Sequence, residues 1–350
     1  MAIKEDHIFQ YPQEFILESG ATLPDLQLKY TTLGQLNHDR NNVIWVCHAL
    51  TGSSDFTDWW HGLFTDDSPF HPDQYFIICA NMPGGCYGST GPLSINPISG
   101  KPYYHQFPEI TNRDIIGAFE LLRLHLRIAS IHTLIGGSMG GQQALEWAIW
   151  QPTVFKNLIA LACNAFHSPW GIAINEAQRM AIAADPTWIQ QEATAGLDGV
   201  KAARAMAMIS FRTYDSYRLT QAEKSTEQPE QYRAASYQRY QGEKLAHRFN
   251  AFSYVLLTKA MDSHQVGRGR KNIQSALGAI QAKTLIVGIE GDNLFPNSEQ
   301  AWLTQHIPGA SLEILSSMYG HDGFLVEFEQ VKNCISKFLK LPLKANEVVS

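Results

Sequence analysis

The sequence predicts an α/β fold with a mostly parallel central sheet, covered by helices and interrupted by a helical insertion. Short runs that are apolar throughout alternate with segments of helical periodicity, a pattern typical of parallel strands buried beneath helices. Residues 166–278 are rich in Ala, Met, Gln and Arg and show only helical patterning. A strand pattern resumes at Thr284, which favours an insertion over a separate terminal helical domain.

The sequence also predicts the individual strands and helices. Residues 15–18 and 26–30 flank a turn containing Gly and Pro, which predicts an antiparallel hairpin. Helices are expected at 115–128, directly after Asp114, and at 142–150; the insertion carries helical patterns at 200–209 and 254–261. Buried strands are expected at 43–47, 75–80, 133–135, 158–163, 284–287 and 311–315.

This order predicts an α/β core over residues 1–165 and 279–350, with a helical lid over residues 166–278. The lid would cap the carboxyl ends of the strands, because ligands of doubly wound α/β sheets gather at that edge.

Composition excludes several classes of protein. With 350 residues, 45% of them hydrophobic and 17% charged, the chain can form a substantial globular core. A net charge of −6 argues against nucleic acid as the main partner, and the basic cluster at 268–271 is predicted to be a solvated loop. No run approaches the roughly 20 apolar residues of a membrane helix, and the first residues lack a signal-peptide pattern. The five cysteines form no C-x-x-C pair, so free thiols in a reducing cytoplasm are expected.

A candidate nucleophile stands between a predicted strand and a predicted helix. Residues 136–140 read Gly-Gly-Ser-Met-Gly, a G-x-S-x-G match. In a nucleophile elbow the serine occupies a strained turn, and the glycines two residues before and after it avoid Cβ clashes. The helix that follows stabilises negative charge at its N-terminus. The pattern predicts Ser138 as a nucleophile; a glycine-rich turn that only packs is the alternative.

A serine hydroxyl needs a base, and that base needs a carboxylate to fix its tautomer. In the elbow architecture these residues follow in the order Ser, Asp or Glu, His. Asp292 lies on the loop after one later strand, with Glu290 as a rival, and the glycine before Asp292 suits a sharp loop. His321 follows the next strand, and this position selects it among 13 histidines.

Two backbone N–H groups are expected to stabilise the oxyanion of the reaction. One is that of Met139, directly after the nucleophile. The other lies in the loop 48–52, which follows the strand at 43–47, and Leu50 is the favoured donor. An ordinary βα loop is the alternative interpretation.

Beyond these motifs, the chain resembles the homoserine O-acetyltransferases of methionine biosynthesis, within the α/β-hydrolase superfamily. The loop that begins at Gly84 is the most distinctive match; it lacks the Gly-Lys-[Ser/Thr] ending of a phosphate loop, and its Cys86 has no base implied beside it. The matching segments are 48–54, 84–92, 94–97, 136–141, 144–147, 260–262, 290–292 and 320–325.

The resemblance implies a ping-pong reaction, in which Ser138 takes an acetyl group from acetyl-CoA and passes it to the hydroxyl of L-homoserine. His321 would act as base in both halves. Arg179 matches the family's carboxylate-binding arginine, and Asp322 matches the position expected to meet the substrate ammonium; either could instead be a structural ion-pair partner. Acetyl-CoA would be a substrate, with no bound cofactor and no metal site. A homodimer through the lid is implied, although the Met-rich stripe at 205–208 equally suits core packing.

Departures from the family pattern fall in the lid and at the pocket rim. The segment 248–254 carries Asn250 and Phe252 where the family commonly has Asp and Asn, Phe211 replaces a tyrosine, and Met-Pro at 82–83 stands where many members have Val-Leu. These differences leave open succinyl-CoA as donor and serine as acceptor.

Two other functions share parts of this pattern. A hydrolase with water as acceptor would use the same triad; the Gly84 loop, Arg179 and Asp322 favour an amino-acid acceptor instead. A noncatalytic binding protein is disfavoured by the intact Ser, Asp and His.

Overall fold

The computed structural model describes residues 3–65, 67–223, 230 and 232–341. Its main sheet has eight strands in the order β1-β4-β6-β5-β7-β8-β9-β10, and all pairs from β6 to β10 are parallel. The predicted mostly parallel sheet is therefore confirmed. The strands are β1 (Lys4–Gln10), β2 (Phe15–Ile16), β3 (Thr22–Leu23), β4 (Gln27–Leu33), β5 (Val43–Cys47), β6 (Phe76–Ala80), β7 (Ile131–Gly137), β8 (Phe155–Leu161), β9 (Lys283–Ile289) and β10 (Ser311–Leu315).

Helices pack on both faces of the sheet, as the wholly apolar strands predict. Along β5, Trp45 enters one core and meets Trp147 of the helix after the elbow, with ring centroids 5.0 Å apart. Its neighbours Ile44 and Val46 enter the opposite core. The helices are α1 (Phe56–Trp59), α2 (Asn112–His125), α3 (Met139–Trp150), α4 (Pro169–Ala183), α5 (Leu197–Phe211), α6 (Tyr214–Thr220), α7 (Arg233–Ala246), α8 (Ala251–Asp262), α9 (Ile273–Leu277), α10 (Asn297–His306), α11 (Gly323–Val326) and α12 (Phe328–Leu339), with short 3₁₀ turns at His61–Leu63, Tyr104–Gln106 and Gly320–Asp322.

The predicted N-terminal hairpin is wrong in its pairing. Strand β2 pairs with β3 over two residues, whereas β4 pairs antiparallel with β1 along its full length, from Lys4 opposite Leu33 to Gln10 opposite Gln27. The long ladder satisfies far more backbone groups than a hairpin between β2 and β4 could. Strand β1 carries four charged or histidine side chains and lies at the sheet edge, so its sequence lacks the apolar run of a central strand.

Two helices begin earlier than the periodicity predicts. Helix α2 starts at Asn112, and Thr111 and Asp114 form a reciprocal capping box. Helix α3 starts at Met139, immediately after the candidate nucleophile. Its backbone N–H groups therefore point towards Ser138 from the first residue onwards.

The segment between β8 and β9 contains helices α4 to α9 in the described part of the chain. It leaves and rejoins the core through paired backbone: His167 N–H donates to His264 O at 2.9 Å, and Val266 N–H to Ala165 O at 3.0 Å. The lid boundaries at 166 and 278 stay a prediction, and residues 1, 2 and 342–350 of the predicted core lie outside the described residues.

Surface and thiol features agree with the expectations from composition. Both arginines of the basic loop form ion pairs: Arg268 pairs with Glu18 at 2.6 Å and Arg270 with Glu146 at 2.5 Å. All five cysteines are unpaired. In the described ranges, no helix is both long enough and apolar enough to span a bilayer.

Candidate active site

The turn at Ser138 is a strained elbow between β7 and α3. Ser138 has φ 56° and ψ −127°, a conformation that non-glycine residues rarely adopt. Neither flanking glycine leaves space for a side chain. A Cβ on Gly136 would lie 2.2 Å from Gly140 O, and a Cβ on Gly140 would lie 2.1 Å from Cys47 O. The strain holds the hydroxyl at the carboxyl edge of the sheet, where the sequence predicts a nucleophile.

We expect Gly136→Ala to lower the free energy of unfolding by about 3 kcal/mol, at the upper end of overpacking costs, because backbone must move to admit the methyl group. Gly117→Ala is the matched control. Gly117 lies within α2, a Cβ there would meet Phe15 at an ordinary 3.4 Å, and helix propensity favours alanine by up to about 1 kcal/mol. Urea titration measures both. A Gly136→Ala protein as stable as the parent would contradict the close approach of residue 136 to Gly140 O.

Ser138, His321 and Asp292 form one hydrogen-bonded chain, although they come from distant parts of the sequence. His321 Nε2 lies 2.9 Å from Ser138 Oγ, and His321 Nδ1 lies 2.8 Å from Asp292 Oδ2. The second carboxylate oxygen of Asp292 accepts the backbone N–H groups of Leu294 and Phe295, each at 2.9 Å. The structure brings together all three predicted triad residues. Glu290, the rival carboxylate, is exposed.

The imidazole of His321 is enclosed by aromatic rings, with centroids of Phe211, Phe295 and Phe324 at 5.6, 5.1 and 5.5 Å. Burial disfavours the imidazolium, but the Asp292 carboxylate and its hydrogen bond outweigh that effect and raise the pKa of His321 above 6.5. The residue is thus a stronger base than free histidine, and its position fits proton transfer with Ser138.

The predicted oxyanion donors, Leu50 and Met139, lie in two different elements of the fold. Met139 is the first residue of α3. Leu50 belongs to a turn in which Gly52 N–H donates to Ala49 O at 2.9 Å. Within the described ranges, neither the Leu50 nor the Met139 N–H donates to a protein acceptor. The role of these two N–H groups as oxyanion donors stays a prediction.

The two predicted substrate-binding side chains, Arg179 and Asp322, pair with different partners. Arg179 lies in α4, where its guanidinium binds Asp262 at 2.6 Å and Glu176 at 2.7 Å. Asp322 directly follows His321 in a 3₁₀ turn and pairs with Arg212 instead, Nε to Oδ2 at 2.7 Å. Sequence reasoning missed Arg212 as a site residue. No local pattern links it to Asp322, because their contact depends on how the lid is placed.

The three lid residues that differ from the family pattern, Phe211, Asn250 and Phe252, lie in different surroundings. Phe211, at the end of α5, packs against His321 and carries the Arg204 guanidinium 5.4 Å from its ring centroid. Asn250 caps α8 by accepting from Ser253 N–H at 2.8 Å. Phe252 stacks in a cluster of aromatic rings with Trp188, at 4.9 Å. Of these three substitutions, only that at Phe211 touches the triad directly.

Comparison with known proteins identifies the family of the chain. The model of the alpha/beta hydrolase fold family matches residues 42–328. A homoserine O-acetyltransferase of Cyclobacterium marinum is 48% identical, over 95% of this chain and 94% of the relative. The homoserine O-acetyltransferase of Nostoc punctiforme is 42% identical, with 95% and 96% covered.

Solved structures share the fold. Homoserine O-acetyltransferase from Staphylococcus aureus superposes with a TM-score of 0.81 at 27% identity, covering 99% of this chain and 98% of that one. An acetylester hydrolase from Corynebacterium glutamicum gives a TM-score of 0.84 at 23% identity, with 96% of each covered; at that identity the likeness concerns the fold alone. With an alpha/beta hydrolase fold, a hydrogen-bonded Ser-His-Asp chain and near full-length relatives at 40% identity or more, the chain belongs to the homoserine O-acetyltransferase family.

Proposed function

We propose that this protein transfers the acetyl group of acetyl-CoA to the hydroxyl of L-homoserine, a step of methionine biosynthesis, through an acyl-Ser138 intermediate. The observation that carries the proposal is the buried Ser138–His321–Asp292 chain in a sequence whose relatives, at up to 48% identity, are named homoserine O-acetyltransferases.

The first half-reaction acylates the enzyme. His321 Nε2 takes the proton of Ser138 as Oγ attacks the thioester carbonyl carbon, and the backbone N–H groups of Leu50 and Met139 stabilise the resulting oxyanion. The carbon–sulfur bond then breaks. The departing CoA sulfur receives the proton from His321, which leaves acetyl-Ser138 and neutral imidazole.

The second half-reaction reverses these roles. His321 Nε2 accepts the proton of the homoserine hydroxyl as its oxygen attacks the acetyl-serine carbonyl. The same N–H groups hold the second oxyanion, and collapse expels Ser138 Oγ, which takes the proton back. Asp292 keeps Nδ1 protonated throughout, so Nε2 is the nitrogen that exchanges protons.

The zwitterionic acceptor needs an anion for its ammonium and a cation for its carboxylate. Asp322, beside the catalytic histidine, suits the ammonium. Arg212 is 2.7 Å from Asp322, which directly follows His321, so one bound amino acid could reach both charges beside the catalytic histidine. Arg179 pairs instead with Asp262 and Glu176, and its Nη1 is buried without a partner in the described residues. We therefore assign the carboxylate to Arg212 in preference to Arg179.

We expect Asp322→Asn to raise KM for homoserine by about 10- to 100-fold, because the substrate ammonium loses a hydrogen bond to a charged group. Acylation by acetyl-CoA should persist. Asp215→Asn is the control, since Asp215 makes a comparable ion pair with Arg218 at 3.1 Å on the lid surface. CoA release is followed with and without homoserine, well above the pKa of His321. An unchanged KM for homoserine would contradict the assignment.

A hydrolase using water is the second candidate, since an acetylester hydrolase shares the fold. The experiment that separates them follows CoA release from acetyl-CoA or succinyl-CoA, alone and with homoserine or serine. Full-rate release without an acceptor would contradict the transferase. Succinyl transfer without acetyl transfer would contradict only the proposed acyl donor, acetyl-CoA.

We also propose a cytoplasmic homodimer that acts on small molecules and needs no resident cofactor or metal. Five unpaired thiols support a reducing compartment. An apolar cavity of about 640 Å³ is lined by Trp170, Ile174, Met206, Ile209 and Ser210 of the lid and by Asn293 of the core. Its exposed Trp170 and Ile209 support self-association through the lid.

A further inference from the structure

The turn that carries Leu50 is held by contacts that the proposed acetyl transfer does not use. Its Ala49–Leu50 peptide determines where the Leu50 N–H points, because the N–H and C=O of a trans peptide lie in one plane and point in opposite directions. Ala49 O accepts Gly52 N–H at 2.9 Å. Any group that fixes Ala49 O or Gly52 N–H therefore fixes the Leu50 N–H as well.

His48 holds this peptide from the sheet side. Its Nδ1–H donates to Ala49 O at 2.9 Å, and its Nε2 accepts from Met82 N–H at 3.2 Å. Burial lowers the pKa of His48 to about 4, so the ring stays neutral and each nitrogen keeps one role. The Ala49 carbonyl is thereby tied to the segment that leads into the Gly84 loop.

Arg248 holds the same turn from the lid side. It lies between α7 and α8, and its Nη1 donates to Thr51 O at 2.7 Å and to the Tyr87 hydroxyl oxygen. Thr51 C=O and Gly52 N–H belong to one peptide. Fixing Thr51 O therefore orients Gly52 N–H towards Ala49 O, and Ala49 O in turn orients the Leu50 N–H.

We propose that Arg248 is a positioning residue: from the lid, it orients the Thr51–Gly52 peptide, which is hydrogen-bonded to the Ala49–Leu50 peptide that presents the Leu50 N–H to the oxyanion. This deepens the proposed function and rests on it. The consequence is that the lid does more than enclose substrate, since its Arg248 helps to hold the turn that carries one oxyanion donor. The Arg248 side chain is exposed, so its hydrogen bonds are expected to affect the orientation of the Leu50 turn more than the stability of the protein.

The test uses Arg248→Met, which removes the donor, Arg248→Lys, which keeps one, and Arg233→Met as control. Arg233 is another lid arginine that donates to backbone carbonyls, those of Ala222 and Thr220, at 2.9 and 3.2 Å. The readouts are the inhibition constant of a small alkylboronic acid, whose serine adduct mimics the tetrahedral oxyanion, the acylation burst with p-nitrophenyl acetate, KM for acetyl-CoA and Tm.

We expect Arg248→Met to weaken boronate binding and slow the burst by about 10-fold or more, a fraction of the ~10²–10³ lost when an oxyanion donor is removed, with KM for acetyl-CoA and Tm little changed. Arg248→Lys should recover part of the loss, and Arg233→Met should show none. Unchanged boronate affinity in Arg248→Met, or a loss matched by Arg233→Met, would overturn the proposal. Neither the boronate measurement nor the burst measurement involves homoserine, so an error about the acceptor would leave these two readouts intact.

Discussion

Replacing Ser138 with alanine is expected to lower kcat for acetyl transfer by about 10⁶-fold, the loss that follows removal of a triad nucleophile. Without Oγ there is no acyl-enzyme, and His321 has no hydroxyl to activate. The residual rate would come from the oxyanion N–H groups and from binding of both substrates together. Because the methyl group of alanine fits where the serine side chain already stands, KM for acetyl-CoA should change much less than kcat.

Intact-mass spectrometry after mixing with acetyl-CoA measures this directly. The parent should gain one acetyl group, and Ser138→Ala should gain none. Cys86→Ala is the matched control for a rival nucleophile. Burial raises the pKa of the Cys86 thiol to about 11, so it stays protonated at neutral pH, and the variant should still be acetylated. An acetylated Ser138→Ala protein would refute the assignment.

Asp292→Asn is expected to lower kcat by about 10⁴-fold, as loss of the triad carboxylate does where the geometry is kept. The amide can donate to Nδ1 and so favour the tautomer in which Nε2 is protonated and cannot act as base. It also lacks the negative charge that stabilises imidazolium. The ring packing of Phe295 and Phe324 around His321 should hold the histidine in place.

The pH dependence gives this variant a second signature. His321 must be neutral to accept a proton, so the parent's kcat/KM should fall as pH drops through its raised pKa, above 6.5. In Asp292→Asn burial remains while the carboxylate is gone. The pKa of His321 should therefore fall, and the acid limb should move to lower pH. An acid limb that stays at the same pH would indicate that a group other than His321 controls it. Asp322→Asn serves as the comparison, because it removes a charge that favours the imidazolium of His321 less strongly than Asp292 does.

The central sheet could be predicted because its strands are apolar on both faces, which is a local property of the sequence. Strand β1 could not, since an edge strand has one face in solvent and carries Lys4, Glu5 and Asp6. The start of α2 depends on a capping box, and that of α3 on the turn at Ser138, rather than on apolar periodicity.

The triad was predictable for a topological reason. Parallel strands end at one edge, so residues that directly follow β7, β9 and β10 meet there even though they are far apart in sequence. Arg212 and Arg248 follow no such rule. Both reach the site from the lid, and nothing local in the sequence states how the lid lies on the sheet.

The fold does not decide between transfer and hydrolysis, because an acetylester hydrolase adopts it too. We propose that the acceptor is chosen by charges near His321, namely Asp322 and Arg212. Water carries no charge for them to bind. The acyl-enzyme should therefore be long-lived until an amino-acid hydroxyl arrives.

Rapid-quench measurement on isolated acetyl-enzyme tests this choice of acceptor most directly. Protein acetylated by acetyl-CoA and freed of CoA is mixed with buffer alone or with homoserine, and acetate and O-acetylhomoserine are quantified over time. We expect slow acetate formation in buffer and rapid, stoichiometric O-acetylhomoserine formation with homoserine. Acetate released at the same rate in both mixtures, with no O-acetylhomoserine, would contradict selection of the acceptor by Asp322 and Arg212.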